Sequence, residues 1–199
     1  MKTIEIKGFK RANLGTTESV KLREEAKVPC VVYGGKEQLH IAIDMFSFRD
    51  FVYTPNVFKI SITVEGKKYN TILKEIQFHP VSEMILHADF LELDENKMVI
   101  MDIPVKFIGS SPGVMKGGKL VQKMNKLSVK ALPKDLPASI EVDISNLDLN
   151  KSIKVSEANT GNVTILSNPS NPIATITVPR GLKSDAAAED PKAAGGKKK

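Results

Sequence analysis

Three histidines occur in the 199-residue chain, and two of them fall in one stretch, ILKEIQFHPVSEMILHADFLEL, from Ile72 to Leu93. Imidazole and carboxylate a few residues apart can transfer a proton, contribute to a metal site, or offer donors and acceptors to a polar partner. The stretch reads as two strands around a short turn. In the first, Ile72, Ile76 and Phe78 point one way and Glu75, Gln77 and His79 the other. Pro80 to Glu83 carry the turn, and the second strand runs from Ile85 to Leu93, with His87 and Asp89 on one face because strand side chains repeat every two residues. Pairing of the two strands would gather Gln77, His79, His87 and Asp89 into one hydrogen-bonding patch.

Each chemistry has a test in the spacing. A zinc centre usually takes four ligands, yet His79 and His87 are eight apart, His40 is distant, and Cys30 is the one cysteine; no metal site and no disulfide are expected. An acid–base pair at His87 and Asp89 would need a nucleophile and an oxyanion site, and no Gly-x-Ser-x-Gly is present. Gly113 to Lys119, GVMKGGK, matches the phosphate-loop spacing, but Leu120 stands where magnesium binding needs Ser or Thr. The segment also lies among strands, so it reads as a chance match in a Gly-rich turn. Cys30, in VPCVVYG, reads as a small buried residue. Asn162-Val163-Thr164 fits the glycosylation pattern by chance. No catalytic residue and no cofactor are therefore expected. A recognition surface, a protein-interaction module and a small-molecule enzyme using His87 and Asp89 stay open on these residues alone.

Charge narrows the field. The chain carries 29 Lys and Arg against 23 Asp and Glu, a formal net charge of +6. Residues 1–39 hold 8 basic and 5 acidic groups. Between Asp102 and Asp135 there is no acid but there are seven lysines, Lys106, Lys116, Lys119, Lys123, Lys126, Lys130 and Lys134. Two basic regions favour a polyanionic partner. No run of about 18 apolar residues suggests a membrane span, and the N-terminal stretch has no apolar core of a signal peptide, so the expected location is the cytoplasm.

The elements that must position these groups are mostly short strands. Thr3 to Lys7 alternates as a strand, and Gly8 to Thr16 reads as a loop carrying Lys10 and Arg11. Thr17 is placed to cap a surface helix from Glu18 to Lys27, which Val28-Pro29 would end. Cys30 to Tyr33 reads as a buried strand closed by Gly34-Gly35, and Leu39 to Ile43 as another. A helix follows over Met45 to Tyr53, with Phe48, Phe51 and Val52 toward the core. Val57 to Val64, a turn at Glu65 to Lys68, and Tyr69 to Phe78 lead into the hairpin. The expectation is a mainly β chain: residues 1–93 as a small β-barrel with two short helices, 94–180 as an all-β domain of two packed sheets, and 181–199 as a disordered basic tail. Met98 to Ile108 reads as an edge or bulged strand because of Pro104. Gly109 to Gly118 reads as a loop, with strands following at 126–132, 139–145, 152–155, 163–166 and 172–178.

With these residues in view, the chain resembles a known family. KLREEAKVPCVVYGG followed by KEIQFHPVSEMILHADFLEL is similar to the bacterial large-subunit ribosomal protein number twenty-five in its long two-domain form, the general stress protein CTC family. Pro112-Gly113 to Gly118 and the segment Leu132 to Leu147 match the family's C-terminal part, so the resemblance covers residues 1 to about 180. It implies binding of 5S ribosomal RNA through the N-terminal domain and a place in the central protuberance of the large subunit, ribosome-bound in the cytoplasm. For the C-terminal domain it leaves neighbouring ribosomal proteins and 23S ribosomal RNA as partners. The implied RNA-binding residues are Arg11, Ser19, Lys21, Arg23, Tyr33, His87 and Asp89, with Lys74 where the family often has a polar residue; the basic loop adds Lys10 and the hairpin patch adds Gln77. Thr16 and Val20 stand where the family usually or often has a basic residue, which leaves the phosphate contacts fewer or shifts them to Lys10 and Lys21.

Overall fold

The computed structural model describes residues 2–35, 37–159, 161 and 163–178; the segment 181–199, expected as a tail, lies outside them. The backbone groups into two compact units. Among the described residues, one comprises 2–104, 126–140 and 161–166; the other comprises 105–125, 141–159 and 167–178.

The first six strands are β1 (Lys2–Lys10), β2 (Lys27–Tyr33), β3 (Leu39–Asp44), β4 (Phe58–Val64), β5 (Lys67–Phe78) and β6 (Ile85–Glu92). They close into a barrel in the order β1-β3-β2-β6-β5-β4. Closure comes from a parallel pairing of β1 with β4, and a second parallel pair joins β2 to β6. A closed barrel leaves no edge strand to recruit another chain. Two short helices, α1 (Thr16–Glu24) and α2 (Arg49–Val52), complete it, α2 continuing a 3-10 turn over Met45–Phe48. The mainly β expectation with a small barrel and two helices is thus what the chain forms.

Inside the barrel, Phe48 and Phe90 are fully buried with Ile41, Ile43, Ile60 and Ile62. The Phe48 ring sits 5.3 Å from that of Phe51 and 6.3 Å from that of Phe90, tilted by 40° and 43°, within the spacing that aromatic pairs favour. Inward residues of β6, Ala88 and Phe90, alternate with outward His87 and Asp89. The inner and outer sets thus share one strand.

Local details depart from the sequence reading. β1 runs on to Lys10, so Gly8, Phe9 and Lys10 pair with β3 and do not belong to a loop. Helix α1 starts after Gly15 and has no side-chain cap; it ends at Glu24, and Ala26, at φ 57°, turns the chain into β2. Val28 and Pro29 are buried strand residues. Pairing of β2 with β6 starts only at Cys30, ahead of which the missing proline N–H breaks no ladder on that side. In β5 the register slips between Leu73 and Glu75, leaving Lys74 without an opposite residue. That bulge shifts the inward set: Ile72 is buried apart from the barrel core cluster, while Leu73 and Ile76 pack against it; Phe78, past a second slip between Gln77 and Phe78, is 41% exposed.

The turn between β4 and β5 holds Glu65 at φ 48° and Gly66 at φ 82°, the backbone of a two-residue hairpin that favours Asn-Gly. A left-handed non-glycine residue costs about 1–2 kcal/mol, less for asparagine, whose side chain bonds locally. Glu65→Asn is expected to raise the unfolding free energy by about 0.5–1 kcal/mol, read as a higher denaturant midpoint with an unchanged slope. A second expectation concerns Cys30. It is fully buried, and its Sγ–H donates to the Val28 carbonyl at 3.3 Å. Burial first, and then the Asp89 charge, push the thiol well above its ordinary range. A thiolate reagent should label it only on unfolding; fast labelling of the native chain would contradict the placement.

Beyond the barrel lie β7 (Val99–Ile108), β8 (Lys119–Gln122), β9 (Lys126–Ala131), β10 (Ile140–Asp143), β11 (Ser152–Lys154), β12 (Thr164–Ile165) and β13 (Pro172–Thr177). They form a four-stranded sheet, β10-β7-β9-β12, and a three-stranded sheet, β11-β13-β8. β7 is an inner strand, not an edge; its proline lies opposite Lys126 at the last register position shared with β9. The segment expected as a loop contains the one-turn helix α3 (Pro112–Met115), where Ser111 Oγ accepts from the Val114 N–H and donates to the Leu147 carbonyl at 2.6 Å. Strand β8 carries no clear alternation, and the sequence reading has no strand there.

Candidate nucleic-acid interface

The outward residues of β5 and β6 define the face. Gln77 stands opposite His87, and Glu75 opposite Asp89. On the other side Asp89 is level with Val31 of β2, which is opposite His40 of β3. His87 Nδ1 lies 3.1 Å from Asp89 Oδ1, with 28% and 30% of the two side chains exposed. A proton on Nδ1 donated to the carboxylate leaves Nε2 as the second polar atom of the ring. One carboxylate oxygen also remains as an acceptor.

Arg23 connects helix α1 to this face. The register of β5 with β6 skips Leu86, the residue before His87. A bulge of this kind takes its residue out of the ladder, and the Leu86 carbonyl accepts from Arg23 Nε at 3.1 Å. One end of the guanidinium is thereby fixed beside His87, and its remaining N–H groups keep the planar fork suited to phosphate oxygens.

Arg11 and Ser19 form a second linked pair. Arg11 Nη2 donates to Ser19 Oγ at 3.1 Å, and that hydroxyl donates to the Gly15 carbonyl at 2.8 Å. The Arg11 backbone N–H bonds to the His40 carbonyl at 3.0 Å, while its Nε is buried without a partner. Arg11 thus ties the start of α1 to the barrel. Lys21 is exposed on α1, and Lys10 is exposed at the end of β1, opposite Ile41.

Tyr33 is half-buried at the end of β2, opposite Leu91. Burial, together with the negative charges of Asp89 and Glu75, raises its phenol above the ordinary value, so the hydroxyl stays protonated and able to donate. Lys74 sits at the β5 bulge with Nζ 3.1 Å from the Ile100 carbonyl in the same compact unit. His79 belongs to the turn: its Nδ1 accepts from the N–H groups of Val81 at 3.3 Å and Ser82 at 3.1 Å. The structure therefore joins Arg23, His87 and Asp89 with Gln77 opposite, links Arg11 to Ser19, and leaves His79 outside the patch. Glu75 is visible in the sequence on the same face, although it is not among the residues the resemblance implies. The Leu86 carbonyl carries no local signal, because it is freed by pairing.

Among the described residues no set of three His, Cys, Asp or Glu side chains is placed to hold a metal ion, and no helix is long and apolar enough to cross a membrane. The family model described as the Ribosomal L25p family matches residues 6–90. A second, described as Ribosomal protein TL5, C-terminal domain, matches residues 98–180. Relatives named large ribosomal subunit protein bL25 extend over nearly the whole chain. That of Cytophaga hutchinsonii is 55% identical over 188 residues, covering 94% of this chain and 98% of its own. That of Amoebophilus asiaticus is 50% identical over 199 residues, covering 100% of both. That of Bacteroides fragilis is 38% identical over 193 residues, covering 94% and 98%. Similarity of this degree across both parts makes the chain a member of the bL25 family of large-ribosomal-subunit proteins, a structural component and not an enzyme.

Proposed function

We propose that this chain binds 5S ribosomal RNA through residues 1–93, as part of the central protuberance of the large subunit. Residues 94–180 then act as a second β domain toward neighbouring ribosomal proteins and 23S ribosomal RNA. The observation that carries the reading is the anchoring of Arg23 to the Leu86 carbonyl at 3.1 Å, beside the outward His87–Asp89 pair. Folded RNA offers phosphates, 2′-hydroxyls and base edges. Arg23 and the exposed Lys10 and Lys21 supply the salt-dependent phosphate attraction. Gln77, His87, Asp89 and the Tyr33 hydroxyl supply donors and acceptors for groove edges. A carboxylate is repelled by phosphate, so Asp89 fits a role of orienting His87 or accepting from an amino group or 2′-hydroxyl.

The test is equilibrium binding of the full chain to isolated 5S ribosomal RNA across a salt series. Replacing His87 by alanine should weaken binding about tenfold, the size of one polar interaction with RNA of roughly 1–2 kcal/mol, with little change in the salt slope. Replacing exposed Lys21 by alanine should flatten the log–log slope by about 0.7–0.9. Failure of the parent chain to bind 5S RNA tightly at moderate salt would remove the reading.

A further inference from the structure

The three-stranded sheet β11-β13-β8 has one face rich in hydroxyls and lysines. Its inward residues Ile153, Ala174 and Ile176 are buried. In the register of the sheet, Ser152 lies beside Thr175, Thr175 beside Val121, and Thr177 beside Lys119. Burial along β11 and β13 places Ser152, Thr175 and Thr177 on the outward side, and register places Val121 and Lys119 beside them, with exposed Lys154 at the end of β11 and exposed Lys123 just past β8. The three strands, KLVQ, SIK and PIATIT, contain no Asp or Glu. The four-stranded sheet differs, with Asp102 on β7 and Glu141 and Asp143 on β10.

Among the described residues, Lys119, Lys123 and Lys154 make no salt bridge, while Lys116 is held by Asp148 at 3.1 Å. Asp148 also accepts from the Leu149 N–H at 2.8 Å, and Glu157 lies in the turn after β11. The Ser152 and Thr175 hydroxyls, flanked by ammonium groups without a carboxylate partner among the described residues, match phosphate oxygens and 2′-hydroxyls, while the Thr177 hydroxyl donates to the Lys119 carbonyl at 3.4 Å. The strands carry no aromatic side chain on which a base could stack, and Gln122 is their one amide. Such a surface follows the backbone of a folded RNA without reading its sequence.

We propose that this sheet face is a second RNA contact, gripping the sugar–phosphate backbone of ribosomal RNA separately from the barrel. The proposal rests on the ribosomal RNA reading above. Large-subunit particles washed free of this protein at high salt serve as the probe. Because Cys30 is buried, Val121→Cys gives the full chain a single accessible thiol for a photo-crosslinker. Illumination of the rejoined particle should give an adduct that ribonuclease removes. An adduct to protein alone, or none, overturns the proposal while the 5S reading stands. A chain carrying Lys119→Gln, Lys123→Gln and Lys154→Gln should rejoin the particle with a log–log salt slope lower by about 0.7–0.9 for each phosphate it no longer neutralises, and should bind isolated 5S RNA like the parent. An unchanged slope also overturns it. A parent chain that binds neither 5S RNA nor the particle defeats both readings.

Discussion

Arg23→Glu is expected to weaken 5S RNA binding about 100-fold at roughly 0.1 M salt. A charge-assisted hydrogen bond is worth about 1.5–3 kcal/mol, and every 1.4 kcal/mol is tenfold. Removing the guanidinium removes that bond, and a carboxylate in its place would repel a phosphate bound there. The effect should fall as salt rises, because screening weakens attraction in the parent and repulsion in the variant alike. Arg23→Lys separates charge from geometry. A lysine keeps the positive charge but has no planar fork to donate to Leu86 and an RNA oxygen together. It should recover the salt slope yet bind several-fold more weakly than the parent. Without the hydrogen bond to Leu86, at 3.1 Å in a half-buried setting, stability should fall by about 1 kcal/mol, small enough for each variant to be assayed folded. Equal affinity for parent and Arg23→Glu at moderate salt would show that this arginine does not face RNA.

Much of this arrangement is legible in the residues alone, and the parts that are not share a cause. His87 and Asp89 can be placed together because a strand repeats every two residues, a local rule; they lie 3.1 Å apart. The barrel is legible in the same way, from short alternating runs punctuated by Gly and Pro. Arg23 can be assigned to a basic surface helix but not to its anchor, 63 residues away on β6. That anchor exists because pairing of β5 with β6 skips Leu86, a property of two strands and of neither alone. The same holds for Lys74, where the slip opposite Phe90 and Asp89 defeats the period-two reading of Ile72, and for Phe78, which follows the second slip at Leu86. Pro29 reads as a helix stop by its local rule, yet it lies inside β2, where the neighbouring ladder has not begun. Local periodicity locates side chains within a strand; bulges and long-range anchors arise from register.

Phe90→Ala is expected to remove about 3–5 kcal/mol of stability, the range for deleting a large buried side chain. Phe90 has 0% exposure, and its ring packs 6.3 Å from Phe48, which is itself fully buried. The surrounding wall consists of strands locked in a closed ladder, so little collapse into the cavity is available. For a chain of this size, 1 kcal/mol shifts the thermal midpoint by about 2–4 °C, and the expected fall is therefore roughly 6–20 °C. Phe90→Leu, which retains most of the volume, should lose far less. The binding consequence follows from alternation: Phe90 is the inward neighbour of Asp89, and Ala88 separates Asp89 from His87. If the inner packing positions the outer pair, the alanine variant should bind 5S RNA more weakly even at temperatures where it is fully folded, while Phe90→Leu should bind like the parent. A variant that loses stability but keeps full affinity when folded would show that the ladder hydrogen bonds alone hold His87 and Asp89 in place.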